Sequence, residues 1–159
     1  MKAKYKYVHP LALPPVYMTK GSACFDLHSV EQADIEPGKQ VTIKTGLVFE
    51  LPEGSVMFIF SRSGHAAKHG VRLANCVGVI DSDYRGEVCV MLRNDSDKMV
   101  VINAQDRIAQ GMLRPPAQIE YKMDGQYHRV LMPIAPVELE NTNTVSDTER
   151  GSGGFGSTG

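Results

Sequence analysis

The sequence predicts an all-β domain, a sandwich or barrel, followed by a short polar arm. Three observations lead there. Turn signals recur about every 8–12 residues, as in sandwiches and barrels. Several runs between them are β-branched or alternate apolar with polar. No stretch of a dozen residues reads cleanly as an amphipathic helix. At 159 residues the chain is one domain, long enough to bury a core. Residues 1–136 form the β domain and residues 137–159 a mobile C-terminal arm.

Lys4 to Val8 alternates weakly and fits an edge strand guarded by lysines. The H-P-L-A-L-P-P run then excludes regular structure, because proline removes donors and restricts its neighbours. Gly21 to Ser29 reads as a short strand, and E-P-G-K (Glu36 to Lys39) as a turn. Val41, Ile43, Thr45, Leu47 and Phe49 give a strong period-2 strand. After the P-E-G turn, V-M-F-I-F (Val56 to Phe60) is continuously apolar and is expected to be buried on both faces. Ser61 to Gly70 breaks the pattern and has room for one helical turn around Ala66 and Ala67. Two β-branched runs, ending at Ile80 and starting at Val88, flank D-S-D-Y-R-G and predict a hairpin with a long loop. Met99 to Ile102 is a strand. Arg107 to Leu113 is ambiguous: helical by period, a strand by its Gly111 and the following Pro115. Gln118 to Tyr121 and Arg129 to Met132 predict a last hairpin around Gly125. From Pro136 the composition turns polar, with little to bury, and ends in a glycine-rich tail.

Seventeen basic against eighteen acidic residues leave no global field for nucleic acid or a membrane surface. Three cysteines (Cys24, Cys76, Cys89) at no metal-like spacing read as reduced thiols. The opening K-A-K-Y-K-Y lacks the apolar core of a secretory signal, and no apolar run approaches a membrane span, so a cytoplasmic location is expected.

Two stretches carry chemistry. The first is Asn75 to Glu87 (N-C-V-G-V-I-D-S-D-Y-R-G-E). Asp, Ser and Gly are ordinary turn residues, and a surface turn is one reading. The other starts from Tyr84: a flat ring beside the carboxylates of Asp81 and Asp83 suits holding a ring-shaped ligand near a general base. The second stretch is the tail. Arg150 followed by glycines, serines, a threonine and Phe155 reads either as a flexible linker or as a lid. A lid would use glycine backbone N–H groups and Arg150 on phosphate and Phe155 on a base. A linker has no need of Phe155. His65 and His69 stand at i and i+4, a zinc-like spacing, but no third ligand accompanies them and structural roles are expected.

G-V-I-D-S-D-Y-R-G-E resembles the third signature motif of the trimeric dUTP diphosphatases (dUTPases). The tail from Arg150 to Gly159 resembles their fifth, R-G-x-G-G-F-G-S-T-G. A-C-F-D-L (Ala23 to Leu27) resembles motif one, S-R-S-G (Ser61 to Gly64) motif two, and D-R-I-A-Q (Asp106 to Gln110) motif four. All five stand in order from Ala23 to Gly159. Departures are Cys24 and Phe25 in motif one, His65 where leucine is frequent, and Ala104 and Gln105 where a glycine commonly precedes the motif-four acid.

The resemblance implies a jelly-roll-like homotrimer whose active sites are each shared by three chains. It implies hydrolysis of dUTP to dUMP and pyrophosphate, which keeps uracil out of DNA and supplies dUMP for thymidylate synthesis. Asp81 would activate the water that attacks the α-phosphorus; a carboxylate of ordinary acidity is ionised at neutral pH and needs no tuning for that role. Mg²⁺ would chelate the triphosphate, with Asp26 holding it through water. Arg62, Ser63, Gly64 and Gln110 would bind the phosphate chain. Arg150, Gly151, Ser152, Gly156, Ser157 and Thr158 would grip the β- and γ-phosphates. The Asn75 amide and the backbone of Val77, Gly78, Val79 and Ile80 would read uracil, Phe155 would stack on it, and Tyr84 would pack on the deoxyribose. The nearest rival is dCTP deaminase, similar in fold and motif order, which needs a glutamate about where Met91 stands. A nucleotide-responsive binding module on the same scaffold is the alternative outside enzymes.

Overall fold

The computed structural model describes residues 2–114, the backbone of 119–121 and 127–129, and residues 138–152. Thirteen strands and one short helix occupy them: β1 (Lys2–Tyr7), β2 (Phe25–His28), β3 (Ala33–Ile35), β4 (Gln40–Glu50), β5 (Val56–Phe60), α1 (Ser63–His69), β6 (Val71–Leu73), β7 (Gly78–Asp81), β8 (Glu87–Asn94), β9 (Val100–Ile102), β10 (Arg107–Arg114), β11 (Ile119–Tyr121), β12 (Tyr127–Arg129) and β13 (Glu138–Asn141). A five-stranded sheet runs β13-β1-β4-β8-β6 and a four-stranded sheet β2-β10-β5-β7. The pairs β3-β9 and β11-β12 complete the fold. The all-β expectation holds.

The core lies between the two larger sheets. Phe25, Leu27, Met57 and Ile59 face it from one sheet, and Ile43, Phe49, Val90 and Leu92 from the other. Phe25 and Phe49 bridge the layers, stacked with ring centroids 6.0 Å apart. Phe25 also settles the ambiguous run Arg107 to Leu113, which is strand β10. A Cβ at Gly111 would lie 2.4 Å from the Phe25 ring, so the glycine is there because a neighbouring aromatic crosses the strand, and it does not break it.

Several expectations need correction. β1 is not an edge strand: it pairs antiparallel with β4 and parallel with β13. β13 is built from Glu138–Asn141, so the start of the arm is a strand on its own domain. β5 is not buried on both faces: Met57 and Ile59 are buried, while Val56, Phe58 and Phe60 are only partly covered within one chain. α1 runs seven residues, from an uncapped Arg62 to a left-handed Gly70, and buries none of them. Most consequentially, the runs around D-S-D-Y-R-G do not form a paired hairpin. β7 pairs with β5, and β8 pairs with β4 and β6. The loop Ser82–Gly86 therefore crosses from one sheet to the other. The last hairpin exists as β11 and β12, paired Ile119 with Arg129; Gly125 and residues 130–132 lie outside the described residues.

Candidate active site

Asp81 closes β7, opposite Val56 on β5, and the crossing loop brings the chain back at Glu87. Under this crossing lies a pocket of about 230 Å³. Asn75, Gly78, Val79, Ile80, Tyr84 and Arg150, all singled out in the sequence, line it. Val77 stands outside it and is exposed. The sequence reading missed most of the floor: Ile59 from β5, Leu73 from β6, and Cys89 and Val90 from β8; Met91, which also lines it, had entered only as the position of a deaminase glutamate. No acidic side chain is among the described lining residues, and Met91 is one of them. The entry to β7 is a tight turn, closed by the Val77 N–H donating to the Asn75 carbonyl at 2.7 Å, with Cys76 at a left-handed φ of 63°.

Tyr84 is held at both ends. Its N–H donates to the Asp81 carbonyl at 3.2 Å and its hydroxyl to the Glu87 carbonyl at 3.0 Å. Burial, then the nearby Cys89, pushes the phenol above its usual range. Asp81 itself is half-exposed and ion-paired with Arg150. The same guanidinium reaches Asp83 at 3.5 Å and lies 5.6 Å from the centre of the Tyr84 ring. The bond to Asp81 raises the pKa of Arg150 above its ordinary value. Gly151 follows in a left-handed turn and Ser152 is exposed. Phe155, Gly156, Ser157 and Thr158 lie outside the described residues.

A second cluster forms across the four-stranded sheet. Register places Asp26 on β2 opposite Gln110 on β10, and Gln110 opposite Phe60 on β5, two residues before Arg62. Three separated motifs are thus brought together by strand pairing. Asp26, 3% exposed, lies 3.7 Å from Arg62 Nε and 3.3 Å from Arg107 Nη1. Arg62 Nη1 donates to the Arg107 carbonyl at 2.9 Å. Burial, then the Arg107 charge, lowers the Arg62 pKa. Asp26 Oδ1 and Arg62 Nε are buried without a hydrogen-bond partner. Ser63 and Gly64 open α1 at the surface and line neither cavity.

Beside this cluster is a cavity of about 490 Å³ lined by Arg62, Arg107, Asp106, His65, His69 and the β9 strand with Met99. The sequence reading gave Arg107 no role and the histidines only structural ones. The two imidazoles meet edge-on at 5.9 Å in this cavity. Among the described residues no group of three or more His, Cys, Asp or Glu side chains is placed to hold a metal ion. Asp26 Oδ1, which makes no hydrogen bond, is an acceptor that a water on a magnesium ion could serve, since magnesium keeps several waters. The Asp81 pocket and the Arg62 cavity share no lining residue. All three cysteines are free thiols, and among the described residues no helix is long and apolar enough to cross a membrane.

The family model described as dUTPase matches residues 12–129. The deoxyuridine 5'-triphosphate nucleotidohydrolase of Nautilia profundicola is 45% identical over 159 residues, covering 100% of this chain and 99% of that one. The protein of the same description from Helicobacter pylori strain P12 is 40% identical, covering 100% and 97%. Among solved structures, the dUTPase of Streptococcus mutans superposes with a TM-score of 0.66 at 30% identity, covering 74% of this chain and 99% of its own. A variant of the dUTPase from phage phi11 of S. aureus gives 0.68 at 25% identity, covering 77% and 96%, and is described as revealing the coordination of a structural Mg(II) ion.

Proposed function

The chain belongs to the dUTPase family and hydrolyses dUTP, and on that premise we propose that it cleaves between the α- and β-phosphorus, releasing dUMP and pyrophosphate, at a site completed by neighbouring copies of the chain. The observation that carries the reading is the placement of Asp81. It directly follows Ile80, a lining residue of a pocket of nucleoside size, precedes the loop of the fixed tyrosine ring that also lines it, and is ion-paired with Arg150 of the arm.

Uracil enters the pocket edge-first. Polar recognition comes from the backbone of β7 and the Asn75 amide, and mismatch there leaves buried polar groups unpaired, which discriminates strongly. Tyr84 packs on the deoxyribose and leaves no space for a 2′-hydroxyl. Arg150 is bound to Asp81 and Asp83 in the described arrangement. A triphosphate offers it more negative charge and a bidentate geometry. Substrate binding therefore draws the guanidinium onto phosphate and releases the Asp81 carboxylate to take the proton of the attacking water. Arg62 and Gln110 receive the phosphate chain with Ser63 and Gly64, and tail residues Gly151, Ser152, Gly156, Ser157 and Thr158 close on the β- and γ-phosphates, with Phe155 over the base. Mg²⁺ would supply charge neutralisation on the triphosphate oxygens, held by Asp26 through water. The separation of the Asp81 pocket from the Arg62 cavity within one chain supports a homotrimer in which one subunit's pocket meets another's phosphate cluster.

The test is pyrophosphate release from dUTP, dCTP, dTTP and UTP with Mg²⁺, wild type beside Asp81→Asn. Release is expected from dUTP alone. The variant should lose about 10²–10⁴-fold in kcat, the range of a general base, while still binding dUTP. Pyrophosphate from dUTP at an undiminished rate in Asp81→Asn would remove Asp81 from the chemistry. Tight binding with no release in the wild type would leave a binding module.

A further inference from the structure

The ladder between β4 and β8 lapses beside the nucleoside pocket. It pairs Lys44 with Cys89 and then resumes at Val48 with Glu87, so Thr45, Gly46 and Leu47 stand opposite Val88 alone. Such a bulge leaves backbone groups without ladder partners. Two side chains serve them here. The Gly46 N–H donates to Glu87 Oε1 at 2.8 Å, and Thr45 Oγ1 donates to the Val88 carbonyl at 2.6 Å. Gly46 is itself fixed. It is buried, its carbonyl accepts from the Val8 N–H at 2.8 Å, and a Cβ on it would lie within 2.9 Å of Ala12, His9 and Val30. Glu87 therefore joins this rigid bulge, through its side chain, to the Tyr84 ring, whose hydroxyl donates to the Glu87 carbonyl at 3.0 Å. The carbonyl is present whatever side chain stands at 87. What the carboxylate adds is a fixed place for it, because side chain and carbonyl pivot on one Cα and the start of β8 has no ladder bond to Gly46 in its stead.

We propose that the Glu87 side chain is a positioning residue for the sugar filter: by holding the Gly46 N–H it sets the carbonyl that anchors Tyr84, and so sets how strictly the pocket rejects a ribonucleotide. This deepens the functional reading above and rests on its assignment of Tyr84 to the deoxyribose.

The test uses the full chain as wild type, Glu87→Gln, Glu87→Asp and Glu87→Ala. Values of kcat and KM are measured for dUTP and UTP by pyrophosphate release, with a thermal melt beside each. Glutamine keeps an acceptor within reach of Gly46 and should hold the wild-type preference. Aspartate keeps the charge but is one methylene too short, and it carries the reading should the alanine variant fail to fold. Glu87→Asp and Glu87→Ala should each raise kcat/KM for UTP relative to dUTP about fivefold, the equivalent of one ordinary hydrogen bond. The gain should lie in KM for UTP and not in kcat for dUTP. A merely structural role would lower the melting temperature and scale both substrates alike, leaving the ratio where it was. On a Tyr84→Phe background, which already lacks the anchored hydroxyl, Glu87→Asp should add nothing. An unchanged ratio in Glu87→Asp, an equal rise in Glu87→Gln, or gains that multiply on the Tyr84→Phe background overturns the positioning role. Equal use of dUTP and UTP by the wild type would instead bring down the sugar assignment, and the role of Glu87 with it.

Discussion

Substituting Gly86 by alanine isolates the Tyr84 ring. A Cβ at position 86 would stand 2.4 Å from the Tyr84 hydroxyl oxygen, 2.5 Å from Cζ and 2.8 Å from Cε2. Ordinary heavy-atom contact begins near ~3.5 Å, so the ring must retreat by about 1 Å. The 3.0 Å bond from the hydroxyl to the Glu87 carbonyl then opens beyond hydrogen-bonding range, a loss of about 1 kcal/mol. Gly86 lies outside the left-handed region, so alanine adds no backbone strain. It also restricts the unfolded chain, which returns about 0.4–1 kcal/mol. The two nearly cancel, and the melting temperature should move by no more than about 4 °C. The sugar filter should move much more. With the ring displaced, kcat/KM for UTP relative to dUTP should rise about tenfold, or about 1.4 kcal/mol of lost discrimination. The assay is pyrophosphate release from both nucleotides with a thermal melt alongside. An unchanged ratio in a normally folded variant would refute the assignment of Tyr84 to the sugar. A fall in melting temperature beyond ~10 °C would show that more than the ring had moved.

Gln105 occupies a left-handed φ of 69°, where an L side chain costs about 1–2 kcal/mol, while its backbone N–H donates to the Ser29 carbonyl. Gln105→Gly should therefore raise the melting temperature by a few degrees, about 1 kcal/mol after the added freedom of the unfolded chain, with turnover unchanged; no rise in a melt would refute the strain. His65 has its pKa lowered below 6.5, first by burial and then by Arg62. The folded state thus favours the neutral ring. Its contribution to stability is complete above pH 6.5 and is lost as pH falls below 6.5 through the folded value. His65→Leu should flatten the decline of melting temperature between pH 7.5 and 5, leaving the share of His28, whose pKa burial also lowers. Parallel wild-type and variant profiles would exclude His65 as the source.

Period-2 patterning carried much of the fold. β4 was legible from Val41 to Phe49, because alternate residues there face the core, although Val48 is buried as well where the ladder shifts around Gly46. Pairing was not legible. The runs ending at Ile80 and starting at Val88 look like partners because they are close in sequence. Yet β8 finds its register against β4, some forty residues earlier, and nothing in a β-branched run says which sheet it joins. Gly111 argued for a strand over a helix, but the reason a glycine is needed there, the Phe25 ring lying across it, was not legible. The pocket wall of Asn75, Gly78 to Ile80 and Tyr84 was visible because its residues are contiguous. Glu87, Arg107 and the β8 floor were not, since each depends on a contact made across the fold.

The loop Ser82–Gly86 is spliced at Asp81 into one sheet and at Glu87 into the other. It works like a strap across a hinge: the reach from Asp81 to the pocket floor is inherited from how the two sheets lean on each other. Residues with no chemistry of their own gain leverage from this. Ile59 and Val90 line the pocket between the sheets, and changing their bulk is expected to alter the lean and so move Asp81 without touching it. Adaptation to a colder or hotter habitat can therefore proceed through the packing of the seam, retuning the rate while every reacting group stays the same.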